Sequence, residues 1–113
     1  PPPEQTVQRY MDALHKRDTQ ALQALYTPHN KPAHRGNGAY AAVDYVMRAA
    51  AAPDMRFTIT DIQRRGGQAV ILASLTGGNS PDIHMEFLLF FDPENNAWKI
   101  HEVNDNIEGA LSF

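Results

Sequence analysis

Glu102 and Asn104 stand at alternate positions behind Trp98 and Ile100 in the stretch from Ala97 to Asn104. If that stretch is a strand, alternation puts all four on one face. With Trp98 and Ile100 turned to a core, Glu102 and Asn104 follow them into a pocket. Its expected walls are Tyr10, Tyr26, Tyr45, Phe57, Phe87 and Trp98. A carboxylate among apolar groups is disfavoured in its charged form, which suits it to acid or base work. Beside a tyrosine hydroxyl it could take a proton from a carbon next to a carbonyl. The plainer expectation is that the tyrosines pack a core and that a strand-end Glu meets water.

A second set alternates onto the opposite face: Thr58, Thr60, His84, Glu86, Lys99 and His101. Imidazoles and a carboxylate on neighbouring strands are metal-ligand types, but His-x-Glu carries no distinctive ligand spacing. It reads as polar alternation on a solvated sheet, so neither metal nor cofactor is expected. Leu88 and Phe90 interrupt that polar face, and apolar residues beside polar ones suggest an association surface. The interface candidates are His84, Glu86, Leu88, Phe90 and His101. The competing expectation has Ile107, Leu111 and Phe113 of the tail packing the structure, the last two folding back over this patch. His29, Lys31, His34 and Arg35 lie in a Pro- and Gly-containing loop, either a rim for an acidic ligand or a solvated stretch. Gly36-Asn37-Gly38 lacks the Lys-Ser/Thr of a phosphate loop.

Composition narrows the classes. The chain has 113 residues, 42% hydrophobic and 20% charged, which suits one domain with a core. Net charge is −3 and the ten Lys and Arg are scattered, which argues against nucleic acid. Without cysteine there is no disulfide, thiolate nucleophile or Cys-ligated zinc. No apolar run reaches the ~18–20 residues of a transmembrane segment. The chain opens Pro1-Pro2-Pro3 rather than with Met, which fits removal of an upstream segment. The expectation drawn from this is a periplasmic or exported domain, a lipoprotein leader being one form.

The elements that must position these residues follow from periodicity. Residues 1–3 read as an extended tether and 4–113 as one domain. Val7, Tyr10, Met11 and Leu14 mark one face of a helix starting near Glu4. Asp18 is the expected N-cap of a short second helix burying Leu22, Leu25 and Tyr26. A third helix is expected from about Ala39 to Ala52. From Met55 the period becomes two. Strands are expected from Met55 on, then at Gln68–Thr76, Asp82–Phe91 and Ala97–Asn104, with a hairpin at Gly66-Gly67. The fold class is therefore α+β. Three N-terminal helices pack on a strongly curved, mainly antiparallel sheet of four strands or slightly more, shaped as a cone.

Three segments resemble the nuclear transport factor 2-like superfamily, which includes SnoaL-like and ketosteroid-isomerase-like proteins. They are PEQTVQRYMDALHKRDTQALQALY, the third helix leading to the hairpin across RRGGQ, and NNAWKIHEVND. The resemblance implies the cone fold and an outer sheet face often used for dimerisation. It implies no single activity. The isomerases' Tyr and Asp set has no clear match. His101 and Asp105 lie near the stretch where SnoaL-like cyclases carry a His and an Asp, but alternation turns both outward. No catalytic residue is therefore assigned. The first functional expectation is a non-catalytic accessory domain that binds a protein partner or small apolar ligand, with a homodimer through the outer face. The alternative is a cofactor-free isomerase, cyclase or dehydratase using Glu102 and a tyrosine.

Overall fold

A computed structural model describes residues 2–28, 54–77 and 82–107, with only the backbone of Thr19 and of residues 105–107. Helix α1 spans Pro3–Lys16 and α2 spans Thr19–Ala24. The strands are β1 (Arg56–Arg65), β2 (Gln68–Thr76), β3 (Ile83–Asp92) and β4 (Ala97–Ile107). They form one antiparallel sheet in the order β1-β2-β3-β4. The expected third helix and Tyr45 lie outside the described residues, as do the basic loop and tail residues Leu111 and Phe113.

Helix α1 starts at Pro3, one residue earlier than expected, and Pro3 is buried rather than part of a tether. Proline suits a first helical turn because its missing N–H would have no intrahelical partner there. The apolar stripe Val7, Tyr10, Met11 and Leu14 is buried, and each such side chain contributes roughly 1.5–3 kcal/mol. Thr6 fastens the same face: its Oγ1 donates to the Trp98 carbonyl at 3.0 Å. Arg17 closes α1 in the left-handed region, and Asp18 caps α2 by accepting from the Ala21 N–H at 3.0 Å.

The buried face of the sheet carries Ala69, Ile71, Ala73 and Leu75 from β2. Ile83, Met85, Phe87 and Leu89 come from β3, and Trp98 and Ile100 from β4. Beyond β4 the chain after α2 locks the edge. The Thr27 N–H donates to the Ile100 carbonyl at 2.8 Å, and the Ile100 N–H to the Leu25 carbonyl at 2.7 Å.

Two turns show what the backbone demands. Gly66 has φ +59 in the β1–β2 hairpin, the geometry expected of its glycine pair. Gly77 has φ +133, and a Cβ there would collide with the Asp54 carbonyl oxygen. We expect Gly77→Ala to lower unfolding free energy by about 2–4 kcal/mol, through strain and overlap together. Gly67→Ala, with no heavy atom near its Cβ, should stay within about 0.5 kcal/mol of wild type in denaturant titrations.

Asp92 organises the β3–β4 turn. Its carboxylate accepts from the Asn95 Nδ2 at 2.7 Å and from the Glu94 N–H at 3.0 Å. The Asn95 side chain is the main cause that holds this carboxyl below its ordinary value. Slight desolvation opposes it, while backbone N–H groups of the turn and the Lys99 charge add to it. A lowered folded value means stability present above the unfolded value and lost as pH falls through the folded one. Asp92→Asn should therefore lower stability in the neutral range and leave it little changed at acid pH, so that denaturant titrations across pH show a flattened acid limb.

Candidate functional site

The inner wall forms first from packing. Tyr10 meets Phe87 edge-on, ring centroids 5.1 Å apart and planes at 80°. Tyr26 lies 6.4 Å from Tyr10, and Phe91 stands edge-on to Trp98 at 5.4 Å. Tyr10, Tyr26, Phe87 and Trp98 are buried, and Phe57 is half-buried against them. The Arg64 guanidinium lies 5.3 Å from the Trp98 ring centroid, a cation–π contact covering the indole. Of the expected pocket wall, these residues do share one side of the sheet.

Glu102 and Asn104 do not. The strand pairing sets Leu89 opposite Ile100 and Leu88 opposite Glu102, leaving His101 as an extra residue in β4. A bulge shifts the phase of alternation, so every side chain beyond it changes face. Val103, expected outside, packs against the core opposite Phe87. Glu102 and Asn104, expected inside, are exposed on the outer face. The apolar surroundings on which an acid–base role for Glu102 rested are therefore absent. A second bulge, between Ile59 and Asp61, does the same in β1 and turns Ile62 to the inner face opposite Ile71. Both bulges had a signal in the apolar spacing. Phe57, Ile59 and Ile62 step by two and then three, as do Trp98, Ile100 and Val103.

With the register known, the outer face becomes a grid read across β1, β2, β3 and β4 in turn. One row is Arg65, Gln68, Phe90 and Lys99. The next is Gln63, Val70, Leu88 and Glu102, and the third Asp61, Leu72, Glu86 and Asn104. Thr58, Ser74 and His84 begin the fourth. Val70, Leu72, Leu88 and Phe90 form a half-buried apolar strip in the middle. His101 stacks on Phe90, centroids 4.5 Å apart and planes at 27°.

Polar pairs border the strip. Ser74 Oγ and His84 Nδ1 are 3.2 Å apart, and Asn104 Nδ2 donates to Glu86 Oε1 at 3.3 Å. With Thr60 and Leu72 they line a shallow cavity of about 270 Å3. Lys99 Nζ donates to the Ala24 carbonyl at 2.9 Å, fixing a cation at the β4 edge. Among the described residues, no group of three His, Cys, Asp or Glu is placed to hold a metal ion. No helix among them is long and apolar enough to cross a membrane. The outer face thus offers apolar contact area, paired hydrogen-bonding groups and separated charges, the ingredients of macromolecular association.

Comparison with known proteins agrees with this architecture. A SnoaL-like domain profile matches residues 7–101. No curated protein matches the chain by sequence. One similar structure, at 16% identity and a TM-score of 0.65, covers 95% of both chains. It is a Thiobacillus denitrificans protein assigned as a calcium/calmodulin-dependent protein kinase type II association domain. A nuclear transport factor 2-like protein of unknown function from Shewanella baltica is 13% identical, with a TM-score of 0.65. The match covers 91% of this chain and 88% of that one. A Shewanella frigidimarina protein assigned as a ketosteroid isomerase is 16% identical, with a TM-score of 0.56. There the match covers 90% and 92%. At such identities the structural likeness shows the fold alone. With a profile spanning most of its length and a sheet of the same build, the chain belongs to the SnoaL-like domain family, within the nuclear transport factor 2-like fold.

Proposed function

We propose that this chain is a non-catalytic association domain that pairs through the outer face of its sheet, its partner a second copy of itself. The observation that carries the reading is the apolar strip Val70, Leu72, Leu88 and Phe90, set among polar pairs on that face. The β4 bulge contributes by moving Glu102 and Asn104 to the border of the strip. The word association in the assignment of the Thiobacillus denitrificans protein is consistent with such a use of the fold.

The alternative is an isomerase- or dehydratase-type enzyme, the assignment of some structural neighbours. In its Glu102–tyrosine form it loses support here, because Glu102 is exposed and on the wrong face for the buried tyrosines. A small apolar ligand on the inner wall is a further reading. It is favoured by Ile62, which is 41% exposed although it shares the inner-face register.

Sedimentation velocity at tens of micromolar tests the association. We expect a wild-type dimer and a Phe90→Asp monomer, the dissociation constant rising by about a hundredfold or more for loss of a central aromatic anchor. Circular dichroism should show an unchanged fold, since Phe90 lies outside the core. A monomeric wild type would end the reading. For the enzyme alternative, Glu102→Gln should leave inner-wall ligand binding unchanged. A loss of that binding would bring Glu102 back into the site.

A further inference from the structure

The charges of the outer face are separated along the strand direction. Arg65 and Lys99 occupy the same row, at opposite edges of the sheet, with Phe90 between them. The carboxylates of Asp61, Glu86 and Glu102 lie in the next two rows. Side chains on one face are spaced ~7 Å along a strand, so cations and carboxylates form distinct bands. Asp92, one row beyond the cations, is engaged by its own turn through Glu94 and Asn95. Arg56 stands two rows beyond Asp61, outside the strip.

Two sheets stacked face to face by a two-fold axis have two limiting arrangements. An axis along the strands keeps the rows and exchanges the edges, which sets Arg65 against Lys99 of the partner subunit. An axis across the strands reverses the rows and keeps the columns. Arg65 then falls on Asp61 of the partner subunit, Lys99 on Asn104 of the partner subunit, and Glu102, in the row the axis crosses, on Glu102 of the partner subunit.

The geometry points to the second arrangement: two copies pair sheet on sheet about an axis across the strands, the basic row of each lying over the row of Asp61 and Glu86 in the other. This rests on association through the outer face, and adds how the copies are oriented. Like charges opposed across an interface are disfavoured. The first arrangement opposes Arg65 and Lys99 at both edges, whereas the second pairs Arg65 with a carboxylate twice and opposes only the exposed Glu102 to its copy. The bands therefore select the second even though the apolar strip accepts both. Arg65 and Asp61 lie four residues apart in one strand, with a bulge between Ile59 and Asp61 just before them. That distance, ~13 Å, is too long for a direct ion pair within one chain.

Charge exchange in the full chain, read by sedimentation at several concentrations, tests the orientation. Arg65→Glu and Asp61→Arg should each weaken the dimer by about tenfold, and the double exchange should recover wild-type affinity to within about threefold. With the axis along the strands, Arg65→Glu would instead face Lys99 of the partner subunit and tighten the dimer. Tightening, no change, or a double exchange that fails to recover overturns the orientation while a wild-type dimer keeps the association. A wild type that stays monomeric overturns both. Both residues are exposed, and thermal unfolding of each variant shows whether a weakened dimer reflects the interface or the fold.

Discussion

A strand whose side chains alternate can change the face it shows only by gaining or losing a residue, and β4 gains one at His101. Before that point Trp98 and Ile100 face the helices. After it Val103 does, while Glu102 and Asn104 face out. The core is served on both sides of the bulge, since an apolar residue meets it each time. The outer face is remade, because a carboxylate and an amide come to lie beside Leu88 and Glu86. One inserted residue therefore decides whether this domain has an acid in its interior or a polar border on its surface.

The rest of the architecture holds that strand in place. Thr6 ties α1 to the Trp98 carbonyl, and Leu25 and Thr27 bond the backbone of Ile100 from the other side. The aromatic contacts of Tyr10, Phe87, Phe91 and Trp98 fill the space between. Arg64 then covers the outer end of the indole. Buried packing of this density resists shifts of even a methylene group, so the register of β4 is fixed by its neighbours on three sides. Side chains on the outer face inherit that fixed geometry without contributing much to it. A surface can vary under those conditions while the frame stays constant.

Much of this frame was legible in the residues alone. The 3.6-residue stripe of α1, the Asp18 cap and the Gly66 turn each follow from a local rule, and each is found where that rule puts it. In β3 alternation runs unbroken, so Leu88 and Phe90 could be placed on the outer face directly. In β4 the same rule misplaced three residues, Glu102, Val103 and Asn104, because it assumed an unbroken strand. The three-residue step from Ile100 to Val103 was the available signal. It was masked by Glu102, a residue compatible with either a pocket or a surface. The site was thus harder to read than the fold, since its residues lie just past the irregularity. Tyr45, the remaining pocket candidate, lies outside the described residues.

The bonds from Leu25 and Thr27 to Ile100 have a consequence for growth of an assembly. A sheet with both edges bare can add copy after copy, the last strand of one receiving the first strand of the next, with no natural end. Here the backbone of β4 is already engaged at Ile100, so an added strand could not pair along its whole length. Head-to-tail β1-to-β4 extension into a fibre is obstructed at Ile100. On the proposed reading the flat of the sheet serves self-recognition, and a surface that pairs with its own copy about a two-fold axis is used up in the act. The locked edge thus favours a closed, countable particle over an open-ended one.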